Sequence, residues 1–540
     1  MVASHTQRNS GQNEGMLLAA TVALAALASA PIHAPILGAP KPSHGLSVHA
    51  RPTWVFFRDK GAGDANALAQ TALTERAIAR RSARRSAPGV MDVRDLPVNP
   101  AYVSAVQALG GRVRVESRWL NAISVEISPA ARLALASLPF VVSTQPVRAA
   151  GLPNAEAVAM SGGVASDDYG ASTEQVMQMD LASLHARGFH GAGIVVGILD
   201  TGFHRVHEAF ASAEHPLDVL AEHDFINDDP NTDIERGDAS NQHRHGTWIL
   251  GTLAAYLPGE LVGTAYEASF VLAKTEDVSS ETPVEEDYYV AGLEFIEANG
   301  ADLATSSLGY FDWYLPSDFD GQTAVTTIAV NTATENGLVC LTAAGNGGHD
   351  RDPATNHLGA PADAFDVITC GAVASDGVIA DFSSDGPSAD GRVKPEILAR
   401  GVATATIHST NATGLAAVSG TSLSTPLVAG AVACILQARG DFTVATLRSA
   451  LFATATDFVA NGSTDPLFVR GYGLIQADKA ASVGRSAGDL NLDGSVDSSD
   501  LGILLGAWGG CVDCATCPAD VNHDCAVDAQ DLAVVLGSWS

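Results

Sequence analysis

The sequence predicts an α/β protein whose main body is a doubly wound, mostly parallel sheet, preceded by a small α+β unit and followed by a small helical unit. Three observations carry this. Short apolar runs alternate with helical segments between about 170 and 485, a basic segment precedes them, and residues 488–540 contain an internal repeat. At 540 residues the chain is too long for one ordinary domain.

The N-terminal element is an apolar run at residues 16–30, ending in small residues and preceded by Arg8. It is shorter than the ~20 residues a bilayer span needs, so a cleaved export signal is preferred over an anchor. Cleavage after Ala30 would put Pro31 next, which leaves Ala34 or a later site open and sets the signal at 1–34. No other stretch reads as a transmembrane span.

Residues 51–150 read as the small α+β unit: a strand at 54–60, an Arg-rich helix at 73–86, a helix at 101–111, two alternating strands within 112–128, then helix and strand within 129–147. The polar stretch 151–169, rich in Gly and Ser, reads as a linker suited to processing. The formal charge of the whole chain is −31, which excludes nucleic acid as a natural partner. The charge is uneven: residues 51–150 hold 14 Lys and Arg against 7 Asp and Glu, while 151–540 hold 14 against 53. Either the basic unit meets an acidic partner within the chain, or its Arg-rich helix is a solvated face.

In the main body (170–485), buried parallel strands are expected at 193–200, 269–276, 303–309, 337–346 and 367–373, with crossover helices at 285–300 and 323–337. Function in such a sheet is expected at the carboxyl ends of the strands. Three segments there carry chemistry. Asp200 ends the first strand and is followed by Thr201 and Gly202, where a carboxylate can orient an imidazole. His245 precedes Gly246 and Thr247 at the start of an apolar helical run, which suits a neutral general base. Ser422 lies among small residues at the start of a long apolar helix, whose free N–H groups face developing negative charge. Pro426 is expected in that helix's first turn, where a missing N–H costs little. A hydroxyl becomes a nucleophile only beside a base that a third group orients.

DTG, HGTxxxG and GTSxSTPxVAG, in this order, resemble the subtilisin-like serine proteases (subtilases, peptidase S8). The resemblance covers about residues 170–485 and implies a serine endopeptidase acting on protein or peptide substrates, with Asp200, His245 and Ser422 as its triad. It implies that Asn346, in LTAAGNGG, is the side-chain oxyanion donor beside the Ser422 N–H. It also implies that Ser307, Leu308 and Gly309 line the substrate strand. Trp248 stands where the family commonly has a second His, and Tyr310 where it commonly has a second Gly, so Tyr310 is expected to narrow the groove. Residues 51–150 more loosely resemble the family's inhibitory propeptides, held partly by charge that salt would weaken. The resemblance implies a zymogen cut between Ala150 and Ser172 and room for further structural calcium in the catalytic domain.

The two acidic segments 489–500 and 520–531 supply oxygen ligands at loop positions one, three, five, nine and twelve, as Ca²⁺ prefers. These are Asp489, Asn491, Asp493, Asp497 and Asp500, then Asp520, Asn522, Asp524, Asp528 and Asp531. They resemble dockerin type I repeats, which implies a cohesin-like or cell-surface partner for 488–540. Cys525 replaces the turn Gly of the second loop. Of the seven cysteines, Cys511, Cys514, Cys517 and Cys525 crowd this tail. Export favours disulfides there over zinc or redox chemistry, with the pairing open. The rival reading is a catalytically silent secreted scaffold held by its tail.

Overall fold

The computed structural model describes residues 51–61, 72–148, 156–159, 169–279, 285–311, 314–350 and 352–540. The export segment expected at 1–34 lies outside the described residues, as does most of 151–169.

The N-terminal unit contains β1 (Arg51–Phe57), α1 (Glu75–Arg84), α2 (Pro100–Ala108), β2 (Arg112–Ser117), β3 (Ala122–Ile127), α3 (Pro129–Leu135) and β4 (Val141–Pro146). Its strands form an antiparallel sheet in the order β2-β3-β1-β4. Alternation divides the sheet residues between two faces: Val55, Ile123 and Val125 pack beneath α2 and α3, while Trp54 and Ala122 join the core of the main body.

The supposed linker carries a strand of its own, β5 (Glu156–Ala159). The main body follows with β6 (Val195–Asp200), β7 (Asp218–Asp224), α4 (Arg244–Ala254), β8 (Ser269–Lys274), α5 (Glu286–Ala298), β9 (Leu303–Ser306), α6 (Val325–Glu335), β10 (Val339–Ala343), β11 (Ile368–Val373) and β12 (Ile397–Arg400). Seven parallel strands lie in the order β12-β11-β10-β9-β6-β8-β7. Both faces are covered, which explains the nearly continuous apolar runs. Along β6, Val196 and Ile198 face α4, and Val195 and Leu199 face α5.

A hairpin, β13 (Thr404–Ile407) and β14 (Leu415–Ser419), leads into α7 (Thr421–Ala438). β14 is the middle strand of a three-stranded sheet, with β5 on its other edge. α7 is long and apolar enough to cross a membrane, contrary to the expectation from sequence, but it is buried against the sheet and α4. Pro426 stands inside α7 rather than in its first turn. The C-terminal unit holds α8 (Ser498–Gly506) and α9 (Ala529–Gly537), each capped by the acidic loop before it.

Candidate active site

β6 delivers Asp200 to the carboxyl edge of the sheet, and α4 begins at that point. Gly246 permits the approach: a Cβ there would sit 2.3 Å from the Gly202 carbonyl oxygen and 3.1 Å from the Asp200 Cβ. The result is a two-pronged contact, with His245 Nδ1 at 2.8 and 3.0 Å from the two Asp200 oxygens. Asp200 is fully buried, and its Oδ1 also accepts the Thr201 N–H at 2.7 Å. Nδ1 is thereby committed to the carboxylate, and Nε2 is the ring nitrogen left over. Trp248 lies one turn on in α4, its ring edge-on to His245.

Ser422 is the second residue of α7. Gly420, just before the helix, has φ +154°, and a Cβ there would sit 2.8 Å from Ser422 Oγ and 3.3 Å from Asn346 Nδ2. Only glycine leaves that space open between the hydroxyl and the amide. The Asn346 amide is oriented by Thr421, whose N–H and Oγ–H each donate to Asn346 Oδ1 at 2.9 Å. His245 Nε2, Ser422 Oγ and Asn346 Nδ2 are all buried without a hydrogen-bond partner among the described residues. Burying a polar atom unpaired costs about 1–3 kcal/mol, so three together are a tolerated strain.

Pro426 has a role that the sequence did not reveal. Having no N–H, it cannot bond the Ser422 carbonyl four residues earlier. Ser307 Oγ–H takes that carbonyl instead, at 2.8 Å. The hydroxyl of Ser307 is therefore spent on the Ser422 backbone. Leu308 and Gly309 follow it, buried, just beyond the end of β9. Tyr310 does not narrow an open surface: it is fully buried, packs edge-on against Tyr289 and donates its hydroxyl to Glu276 Oε1 at 2.8 Å. Burial first, then the neighbouring Glu285, pushes the Glu276 carboxyl up.

On the Arg-rich face of α1, Arg80, Arg81 and Arg84 are buried. Arg81 places Nε 2.7 Å and Nη2 2.9 Å from the two oxygens of Glu297 on α5, where Arg80 also pairs. Arg76 and Arg84 meet Asp302, Arg114 Nε meets Asp287 at 2.9 Å, and Ser117 Oγ–H donates to Glu294 at 2.6 Å.

Two further clusters could hold a cation: Asp350, His357 and Asp385, and Asp224, Asp229 and Glu235. In the second, Lys274 Nζ already sits 2.7 Å from Asp224. In the tail, both acidic loops repeat one pattern. Asp500 Oδ1 accepts the N–H groups of Leu490 and Asn491, and Asp531 Oδ1 those of Val521 and Asn522. Asp489 and Asp520 accept the N–H of Gly494 and Cys525. Asp493 and Asp524 accept from Asn491 and Asn522, while Asp497 and Asp528 cap the helices. Asp489 Oδ1 is buried without a partner among the described residues. Cys525 adopts φ +71°, the left-handed form glycine takes in the first loop, and is tied to Cys514, with Cys511 bonded to Cys517. Cys340, Cys370 and Cys434 are free and buried.

Residues 191–473 match the subtilase family, and residues 52–158 match the peptidase S8 propeptide domain, Bacteroidota. The chain is 32% identical over 309 residues to subtilisin E of Bacillus subtilis (strain 168), covering 57% of this chain and 70% of that one. It is 32% identical over 300 residues to subtilisin DY of Bacillus licheniformis, covering 55% of this chain and 94% of that one. Among solved structures it is similar in fold to fervidolysin from Fervidobacterium pennivorans, a keratinolytic enzyme related to subtilisin. That match has a TM-score of 0.54 and 21% identity, and spans 80% of this chain and 61% of that one. With its parallel sheet, its propeptide domain and over half its length matched, the chain belongs to the subtilase family of serine endopeptidases.

Proposed function

We propose that the protein is an exported zymogen that cleaves peptide bonds through Asp200, His245 and Ser422. The observation that carries this is the set of three buried, unpartnered atoms: His245 Nε2, Ser422 Oγ and Asn346 Nδ2. Each is an atom that a bound peptide would engage. Ser422 Oγ attacks the scissile carbonyl while His245 Nε2 takes its proton, and Asp200 stabilises the resulting imidazolium. The oxyanion receives the Asn346 amide and the Ser422 N–H, and His245 returns its proton to the leaving amine. Water then repeats the sequence on the acyl-enzyme. Leu308 and Gly309 serve as substrate contacts, and Ser307 acts through the Ser422 carbonyl.

Residues 16–30 support export by a signal peptide, and retention at the cell surface would fall to the tail. The tail's ten oxygen-bearing side chains, with Asp489 Oδ1 left unpartnered, suit calcium in both loops and a cohesin-like or surface receptor. Calcium bound there would supply cross-links between loop and helix, not chemistry.

A biotinylated fluorophosphonate, applied beside a Ser422→Ala control, tests the assignment. Labelling of the parent protein alone is expected. A processed, folded chain that takes no label would return the protein to a silent scaffold.

A further inference from the structure

The loop that carries Asn346 runs on to Asp350 and lies along the segment 382–385 in a short ladder of hydrogen bonds. The Ser384 N–H donates to the Gly345 carbonyl at 3.0 Å, and the Gly348 N–H to the Phe382 carbonyl at 2.8 Å. Between them, the Gly347 N–H donates to Ser384 Oγ at 2.9 Å. The last rung joins the Asp350 N–H to Asp385 Oδ2 at 3.3 Å. His357 then returns to the same segment: its N–H donates to the Asp385 carbonyl at 3.1 Å, and its Nδ1 lies 2.6 Å from Asp385 Oδ1. Asp350, His357 and Asp385 thus each bring a metal-ligating atom within 4.8 Å of the other two.

The charges in this cluster are not balanced by a fixed cation. Asp385 is fully buried, and a buried carboxylate needs a positive partner. Among the described residues no Lys or Arg pairs with Asp385 or Asp350, and the basic group against Asp385 is the half-buried imidazole of His357. The Asp224 cluster is different, because Lys274 Nζ sits 2.7 Å from Asp224 and 2.8 Å from Asp238 and meets its charge within the chain.

The donor set selects the kind of ion. Ca²⁺ takes six to eight oxygens, and two carboxylates with one imidazole fall short of that. The same three groups suit a four-coordinate zinc-type ion with water in the remaining place. Around such an ion Nδ1 and Oδ1 would stand about 3.3 Å apart, so the imidazole must withdraw by less than an ångström. His357 is half-buried and Asp350 exposed, so both can make that adjustment around the fixed Asp385.

We propose that Asp350, His357 and Asp385 form a binding site for a zinc-class divalent cation, which clasps the end of the Asn346 loop to the segment 382–385. His357 binds through Nδ1 with its proton on Nε2, and each carboxylate gives one oxygen. Asp350 follows Asn346 by four positions, so the clasp limits how far the loop can part from its ladder. The cation takes no part in bond cleavage. The site is separate from the acidic loops of the tail and independent of the serine protease reading.

The full-length Ser422→Ala chain is stripped with a chelator and titrated with Co²⁺, a visible stand-in for zinc, with Ca²⁺ in excess to occupy the tail. One equivalent is expected to produce the visible absorption of four-coordinate cobalt, and one equivalent of Zn²⁺ to bleach it. His357→Ala and Asp350→Ala should each weaken binding by at least roughly a hundredfold, and Asp489→Ala should leave it unchanged. Asp350 is exposed, so its variant tests the ligand even where the loss of His357 disturbs folding. No absorption, or an absorption that survives in both variants, overturns the site and leaves Asp385 and His357 as a plain hydrogen-bonded pair. With free Zn²⁺ at ten times its Kd, hydrogen exchange at 345–350 and 382–385 should slow about tenfold. Unchanged exchange there overturns the clasp. None of these measurements uses turnover, so every outcome leaves the protease reading where it stands.

Discussion

Arg81 and Glu297 form a parallel, two-bond ion pair across the boundary between the N-terminal unit and the main body, and both side chains are wholly buried. The arginine also reaches Asp95 at 2.8 Å within its own unit, so it ties the propeptide's internal structure to α5. Breaking a buried pair strands the surviving charge, at a cost of about 3–5 kcal/mol. Arg81→Ala, made in the uncut Ser422→Ala precursor, is expected to lower its unfolding free energy by that order in a urea titration. The network is shielded from solvent, so raising salt should scarcely move the midpoint, unlike the salt-weakened clamp expected from the charge balance alone. A large salt dependence would show that the contact is peripheral.

The same boundary should make the precursor sensitive to pH in a predictable direction. Burial holds the Glu286 carboxyl up at about 8 and Glu285 at about 7. Below about 4.5 both folded and unfolded chains are protonated and nothing is lost. As pH rises from there towards 8, the unfolded chain ionises and the buried Glu286 does not, so stability falls by about 1.4 kcal/mol per pH unit. Glu297 runs the other way: burial would raise it, but Arg81 and Arg80 outweigh that and hold it near 2, so its contribution disappears only in acid. Burial depresses His185, His207 and His243, which also lowers stability on the acid side. The diagnostic quantity is therefore the difference between Glu286→Gln and its parent. It should be small near pH 5 and favour the variant increasingly towards pH 8, because Gln keeps an acceptor for the Tyr314 hydroxyl. A difference that is flat with pH would place Glu286 in water.

Asn346 separates two roles on one side chain. Its oxygen is bound by Thr421, and its amide hydrogens have no partner among the described residues. Asn346→Asp keeps the acceptor and removes the donor. The expected outcome is a loss of roughly 10²–10³ in kcat with little change in KM or melting temperature. An equal loss of stability would mean that the residue holds the loop rather than the oxyanion.

Much of this architecture was legible because local pattern and tertiary environment coincide. The five strands expected at 193–200, 269–276, 303–309, 337–346 and 367–373 all lie in the sheet interior, where covering on both faces demands unbroken apolar runs. The two edge strands escaped notice. Asp218–Asp224 reads DVLAEHD, too polar for that rule, and Ile397–Arg400 is only four residues long. β5 was hidden in a stretch of small residues because its strand character comes from β14, more than 250 residues away. Motifs singled out Asp200, His245, Ser422 and Asn346 as candidates. The bond from Ser307 to the carbonyl that Pro426 leaves free was not readable, because it depends on two distant segments meeting. Charge counting left open whether the arginines of α1 face water or a partner within the chain, and only their placement against α5 decides it.

The tail offers a test that is independent of catalysis. In the first loop Asp489 Oδ1 is buried without a partner among the described residues, and burial raises the Asp489 carboxyl, which a cation would reverse. Calcium bound to the folded loops alone stabilises them in proportion to the logarithm of its concentration over Kd. Chelation by EGTA should therefore speed hydrogen exchange at 489–500 and 520–531 while leaving β6 and α7 protected. Asp489→Ala should abolish one of two binding events in a calorimetric titration. The second event should survive, because the Cys514–Cys525 disulfide holds Cys525 in the turn that glycine supplies in the first loop. Iodoacetamide without reductant should correspondingly label only Cys340, Cys370 and Cys434, and only once the chain is unfolded. Exchange rates indifferent to EGTA would leave these ten side chains as helix caps and turn formers, and the tail would need another ligand.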